Sequence, residues 1–108
     1  MSTDGTYVYV WEFDVHADRV ADFERHYGPD GSWARLFRRA TGYVGTALLQ
    51  DRQVANRYVT IDRWRSEAAY RAFRTTFSAE YARLDAECET LTTAERPLGE
   101  YREHDTSP

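Results

Sequence analysis

The chain has 108 residues, a net charge of −4 and a single cysteine, Cys88. One domain of this size can bury roughly 65% of its unfolded surface, and its acidic balance excludes the basic footprint that nucleic acid or an anionic membrane requires. All fourteen basic side chains are Arg, so Schiff-base catalysis, an internal pyridoxal-phosphate linkage and a phosphate-loop lysine are excluded.

A lone cysteine permits no internal disulfide, which fits a reducing cytoplasm. No apolar run approaches the roughly 20 residues of a membrane span. The opening MSTDGT has neither the basic nor the apolar region of a signal peptide. A cytoplasmic protein without a membrane or nucleic-acid partner is expected. Phe, Trp and Tyr make up 15% of the residues. Rings that each bury about 150–250 Å² build a core with few aliphatic residues, or line a pocket for a flat ligand.

After a polar lead-in over Met1–Thr6, Tyr7 to Val15 alternates as a strand. Tyr7, Tyr9, Trp11 and Phe13 lie on one face, with Val8, Val10, Glu12 and Asp14 on the other. Asp18 is placed to cap a helix over Arg19–Tyr27, with Val20, Phe23 and Tyr27 inward. Gly28-Pro29-Asp30-Gly31 is a turn. Ser32 opens a short helix carrying a Trp33, Leu36, Phe37 and Ala40 stripe, and Gly42 closes it. Tyr43–Asp51 is the second strand, in which Gly45 marks a bulge or a close approach. A polar loop over Asp51–Asn56 leads to the third strand, Arg57–Trp64.

In that third strand Tyr58, Thr60, Asp62 and Trp64 share one face. Ser66 then caps a helix on which Tyr70, Phe73 and Phe77 recur at helical spacing. Thr75-Thr76 predicts a break, with Ser78 recapping a helix over Ala79–Leu91 whose stripe is Tyr81, Leu84, Cys88 and Leu91. Thr92–Pro97 reads as a connection, Leu98–Glu103 as a fourth strand and His104–Pro108 as a tail.

This order predicts an α+β, ferredoxin-like domain spanning residues 1–108, with its core over about 7–103: a four-stranded antiparallel sheet with helices on one face. Val8, Val10, Val44, Leu48, Val59 and Ile61 are expected to leave the other face partly apolar. Such a face pairs with a second copy, so a homodimer is expected.

His16, His26 and His104 are scattered and no second Cys exists, so no metal site is expected. No Gly-x-Ser-x-Gly elbow is present, and Ser32, Ser66 and Ser78 read as caps. Arg35, Arg38, Arg39, Arg71 and Arg74 read as solvated helix faces, and Arg83, although it lies beside an inward stripe within reach of a pocket, reads first as solvated too. Cys88 reads as a small buried hydrophobe. Trp64 and Tyr70 stand where a strand end meets a helix, a usual place for a cleft. Both suit a core, yet each has a polar tip that needs a partner there.

The layout resembles the antibiotic biosynthesis monooxygenase family of dimeric α/β barrels, over about Tyr7–Tyr101. The correspondences are the first strand, the Phe23-centred helix, Thr41-Gly42-Tyr43-Val44-Gly45, and Asp62-Arg63-Trp64-Arg65-Ser66 leading into the Tyr70 helix. The family includes cofactor-independent oxygenases that turn anthrones or phenolic polyketides into quinones. Their proposed site is an Asn, a Trp four residues later and a Tyr six beyond that. Trp64 and Tyr70 match, and Thr60 stands in the Asn position. The resemblance implies a small aromatic substrate, dioxygen as co-substrate and no cofactor. Thr60, Trp64 and Tyr70 become the candidate catalytic residues. Tyr58, Asp62, Trp11, Phe73, His26 and Arg83 become the candidate substrate contacts, with His26, Asp62 or an Arg removing the proton. Haem-degrading relatives use a helical His that this chain lacks. A polyketide cyclase or isomerase, or a non-catalytic barrel binding an aromatic metabolite, are the other readings of such a scaffold.

Overall fold

A computed structural model describes residues 5–104; the outer parts of the expected lead-in and tail, residues 1–4 and 105–108, lie outside it. The elements are β1 (Thr6–Val15), α1 (Val20–Tyr27), α2 (Ser32–Phe37), β2 (Tyr43–Gln50), β3 (Arg57–Trp64), α3 (Glu67–Thr76), α4 (Ser78–Cys88) and β4 (Thr92–Glu103). All strand pairs are antiparallel, in the order β2-β3-β1-β4. This is the expected ferredoxin-like arrangement, with the helices against one face of the sheet.

The register brings two inward rows side by side. Tyr7 faces Trp64, Tyr9 faces Asp62, Trp11 faces Thr60 and Phe13 faces Tyr58. On β3 alternate residues are buried from Tyr58 to Trp64, as a strand covered on one side requires. The core above this floor is mostly rings. Phe37 meets Phe73 edge-on at 5.2 Å, and Phe23 stacks on Tyr27 at 4.3 Å. Such pairs add about 0.5–1.5 kcal/mol each beyond the area they bury.

The corner after β3 is fixed on both sides. Ser66 Oγ accepts from the Ala69 amide at 3.1 Å, the cap expected from the sequence. The Arg65 amide donates to the Gly42 carbonyl at 2.7 Å, tying the start of β2 to the same corner. Gly42 has φ +96°, and a Cβ there would lie 2.6 Å from Ala69 Cβ. Only glycine suits that backbone and that approach of α3.

Several boundaries differ from the expectation, each for a local reason. Asp18 does not cap α1; a 3-10 turn over Ala17–Arg19 leads in, and Arg19 takes the cap position without a side-chain bond to the helix's free amides. Ser32 is the first residue of α2 instead of its cap, and its hydroxyl pairs with His26 Nδ1 at 2.8 Å. Ser78 makes no cap bond either. The Phe77 amide still reaches Phe73 O, and Tyr81 N reaches Phe77 O, so the break leaves that turn's amides served. α4 ends at Cys88, with buried Leu91 just beyond it.

β4 begins at Thr92, well before the expected Leu98. Pro97 is accommodated because β4 is an edge strand and a register shift falls there, opposite Val10 and Trp11, where a missing N–H costs no ladder bond. In β2, Tyr43 pairs with Trp64 but Gly45 pairs with Arg63. A bulge has inserted Val44, so the bulge reading of Gly45 holds and the crowding reading does not: nothing lies within 4 Å of a Cβ built there. The extra residue reverses the parity of the rest of β2. Leu48 therefore stands opposite inward Thr60, and Leu49 takes its place on the open face opposite Val59.

Candidate active site

A cavity of about 420 Å³ lies between the inward face of the sheet and the helices. Its floor is Thr60 and Asp62 from β3 with Thr46 from β2. Tyr9, Trp11 and Phe13 of β1 continue the floor toward β4. Tyr27, Trp33 and Phe37 close one side, and Tyr70 and Tyr81 close another. Exposed Arg74, Asp85 and Glu95 form the rim. A second hollow of about 490 Å³ lies between Gly5–Tyr7, Ser66–Ala68 and Glu100–Arg102. Its Glu100 is already bonded by Tyr7 Oη at 2.7 Å, and it has no buried reactive group. The aromatic cavity is the better site despite its smaller volume.

Asp62 is the cavity's chemical centre. It is only 7% exposed, and burial pushes its carboxyl up to about 6 while a hydrogen bond from Thr46 holds it back. Thr46 Oγ1 donates to Oδ1. Among the described residues no donor reaches Oδ2, yet that atom is not a sealed, unsatisfied one; it opens to the cavity that Asp62 lines. A carboxylate that titrates near 6 in an aromatic pocket is matched to proton abstraction at neutral pH.

A second polar group sits above it. Arg74 Nη1 donates to Tyr70 Oη at 3.0 Å, and the guanidinium lies 3.9 Å from the centre of the Tyr81 ring. Because Tyr70 Oη accepts from Arg74, its own proton remains to be donated to a ligand oxygen. Burial raises the Tyr9 hydroxyl well above its usual range and raises that of Tyr81 as well, so both are neutral donors.

Of the residues singled out from the sequence, Thr60, Asp62, Tyr70 and Trp11 meet in this cavity. Trp64 does not line it. It is 0% exposed and stands behind the wall, its Nε1 donating to Tyr9 Oη at 3.3 Å and its ring edge-on to Tyr70 at 5.6 Å. Phe73 is buried deeper, between Phe37 and Trp64. Tyr58 points elsewhere and donates to Glu24. His26 is buried against Ser32, and burial lowers its basicity. Arg83 is exposed and outside the cavity.

Arg74 and Thr46 are functional candidates that the sequence did not single out. Arg74 had a visible signal: Tyr70, Arg74, Tyr81 and Asp85 are spaced 4, 7 and 4, one face of the α3–α4 pair. Thr46 had none, because its inward direction depends on the bulge.

A model of the family described as antibiotic biosynthesis monooxygenase matches residues 6–83. The chain belongs to the antibiotic biosynthesis monooxygenase family. Among solved structures it is similar to SnoaB, a cofactor-independent oxygenase from Streptomyces nogalater. A mutant of that protein is 28% identical, with 95% of this chain and 97% of that one covered and a TM-score of 0.70. A second SnoaB structure, also 28% identical, covers 96% and 98% with a TM-score of 0.67. PA3566 from Pseudomonas aeruginosa shares the fold at 17% identity, with 97% and 100% covered and a TM-score of 0.69. Among curated proteins none matches the sequence. Among the described residues no helix is long and apolar enough to cross a membrane, and no group of three or more His, Cys, Asp or Glu is placed to hold a metal ion.

Proposed function

We propose that the protein is a cofactor-independent monooxygenase that oxidises a phenolic or anthrone-type aromatic polyketide, or a similar small aromatic, to a quinone with dioxygen as co-substrate. The observation that carries this reading is a buried carboxylate, Asp62, at the floor of an aromatic cavity of about 420 Å³. The similarity to SnoaB supports the cofactor-free chemistry.

In this mechanism Asp62 Oδ2 accepts a proton from the ring methylene or phenol of the bound substrate. The resulting anion, a carbanion or a phenolate conjugated with the ring carbon, reduces dioxygen; a carbon–oxygen bond forms, and the peroxide takes the proton back from Asp62 as a hydroperoxide. Loss of water from that adduct leaves the carbonyl, so that anthrone and dioxygen yield quinone and water. Tyr70, polarised by Arg74, donates to the developing oxyanion, and Thr60 orients the ring. Trp11 and Tyr81 exclude water around it. Trp64 acts through Tyr9 and Tyr70, whose rings it holds.

Oxygen uptake and quinone absorbance with 1,8-dihydroxyanthrone test the reading. Asp62→Asn is expected to lower kcat by roughly 100-fold or more, the usual share of a general base. Tyr70→Phe, which removes the donor to the oxyanion and the acceptor for Arg74, and Trp64→Phe, which removes the bond to Tyr9, are each expected to lower it by about tenfold or more. Uptake no faster than spontaneous oxidation, or an Asp62→Asn variant with undiminished turnover, would sink the proposal. The same electrode separates it from an isomerase or cyclase, which consumes no oxygen.

A further inference from the structure

We propose that Tyr43 and Thr46 form a positioning device for Asp62: a two-hydroxyl chain, built by the bulge at Val44, that holds Oδ1 and leaves Oδ2 to the substrate. The inference rests on the reading of Asp62 as the base. In a regular strand, residues three apart point to opposite faces. Here the register steps from Tyr43 opposite Trp64 to Gly45 opposite Arg63. The inserted Val44 is turned out to solvent, 57% exposed, and Tyr43 and Thr46 come onto the same inward face. Tyr43 Oη then lies 2.5 Å from Thr46 Oγ1.

The direction of the chain follows from proton counting. An ionised Asp62 only accepts, so the single hydroxyl proton of Thr46 goes to Oδ1. Tyr43 must therefore donate to Thr46. Each donation polarises the next. The Tyr43 ring is itself held between Phe37 and Trp64, at 5.4 Å from each. The other titratable or charged groups lining the cavity with Asp62 are Tyr9 from β1, Tyr27 from α1, Tyr70 and Arg74 from α3, Tyr81 and Asp85 from α4, and Glu95 from β4. None of these is hydrogen-bonded to the carboxylate; among the described residues only Thr46 is. On β3 itself, Thr60 and Trp64 flank it on the same face.

The experiment is a carbon-13 NMR titration of the Asp62 carboxyl in the full chain, wild type against Thr46→Val, Thr46→Ser and Tyr43→Phe. Thr46→Val keeps the shape and removes the hydroxyl. It is expected to raise the Asp62 midpoint by about one pH unit or more, the size of one hydrogen bond to a charged acceptor. Thr46→Ser is expected to restore the wild-type midpoint, and Tyr43→Phe to raise it by less than Thr46→Val. The acid limb of kcat for 1,8-dihydroxyanthrone should move with the midpoint while KM stays unchanged. A Thr46→Val midpoint that is unmoved or lowered overturns the inference, as does a serine variant displaced as far as the valine one. If Thr46→Val fails to fold, Tyr43→Phe alone decides between a raised and an unmoved midpoint. If the midpoint moves but no variant or wild type oxidises the anthrone, the hydroxyl chain stands and the assigned reaction falls. If the midpoint is unmoved while turnover depends on Asp62, the reaction stands and the chain falls.

Discussion

Asp62 is kept where its charge is costly, and that cost has a sign that can be read in pH. Its carboxyl sits at about 6 in the folded chain against an ordinary 3.8. Above pH 6 both folded and unfolded chains carry the charge, and the folded one bears the full desolvation. Between 6 and 3.8 the folded chain binds a proton that the unfolded chain does not, so stability rises as pH falls through that window and levels off below it. Two pH units correspond to about 3 kcal/mol. Asp62→Asn removes the charge and keeps an acceptor for Thr46. Urea unfolding at pH 7.5 should show this variant more stable than wild type by as much as about 3 kcal/mol, with the gap closing near pH 4. Equal or lower stability at pH 7.5 would mean that the carboxylate is not held against its solvation. Together with lost turnover, the expected gain is the signature of a residue retained for chemistry.

At the scale of elements, the β3–α3 corner decides where Tyr70 and Arg74 stand. Ser66 fixes the first turn of α3 through the Ala69 amide, and Ser66→Ala should lower stability by about 1 kcal/mol in thermal unfolding. A change below a few tenths of that would show that packing of Tyr70 and Phe73 alone sets the helix start. This corner was legible in the sequence because its signals are local: strict alternation to Trp64, a capping hydroxyl, then rings at helical spacing. The aromatic face of β1 was legible for the same reason. What was not legible depends on pairing between distant segments. The bulge at Val44 exists only against β3, and it exchanges Leu48 for Leu49 and turns Thr46 inward. The early start of β4 exists only because β1 offers a partner along its whole length, which outweighs Pro97. Trp64 showed the right corner but not its depth, since a strand-end ring can face a cavity or support those that do. Arg74 looked like surface because a charged residue on an amphipathic helix usually is; its role depends on Tyr81, one helix further on.

At the scale of the whole molecule, the sheet has one face under helices and one without. On the uncovered face Val10, Val59, Ile61 and Ala47 are half-buried, while Leu49 and Tyr101 are 49% and 52% exposed. At one end of this face Asp14 bonds both Arg57 and Arg96, and Arg96 also bonds Glu12. These charges are satisfied within the chain, so they set a polar border without demanding a partner. Among the described residues the apolar part has no such partner, and a contiguous apolar sheet face is what a self-complementary interface uses. We therefore propose a homodimer paired through this face, with each cavity on the far side of its own sheet. Leu49→Asp puts a charge on the exposed apolar part of the expected interface, on the edge strand β2, without touching the helices or the cavity. Sedimentation at micromolar concentration should find wild type as a dimer and Leu49→Asp as a folded monomer. A wild-type monomer would refute the dimer, and a Leu49→Asp dimer would place its contact elsewhere. Because Asp62, Tyr70 and Arg74 all come from one chain, the isolated monomer should still bind the anthrone with a Kd within about tenfold of wild type, allowing about 1.4 kcal/mol for lost support. A larger loss, with the fold intact, would show that the second copy shapes the cavity as well as covering the sheet.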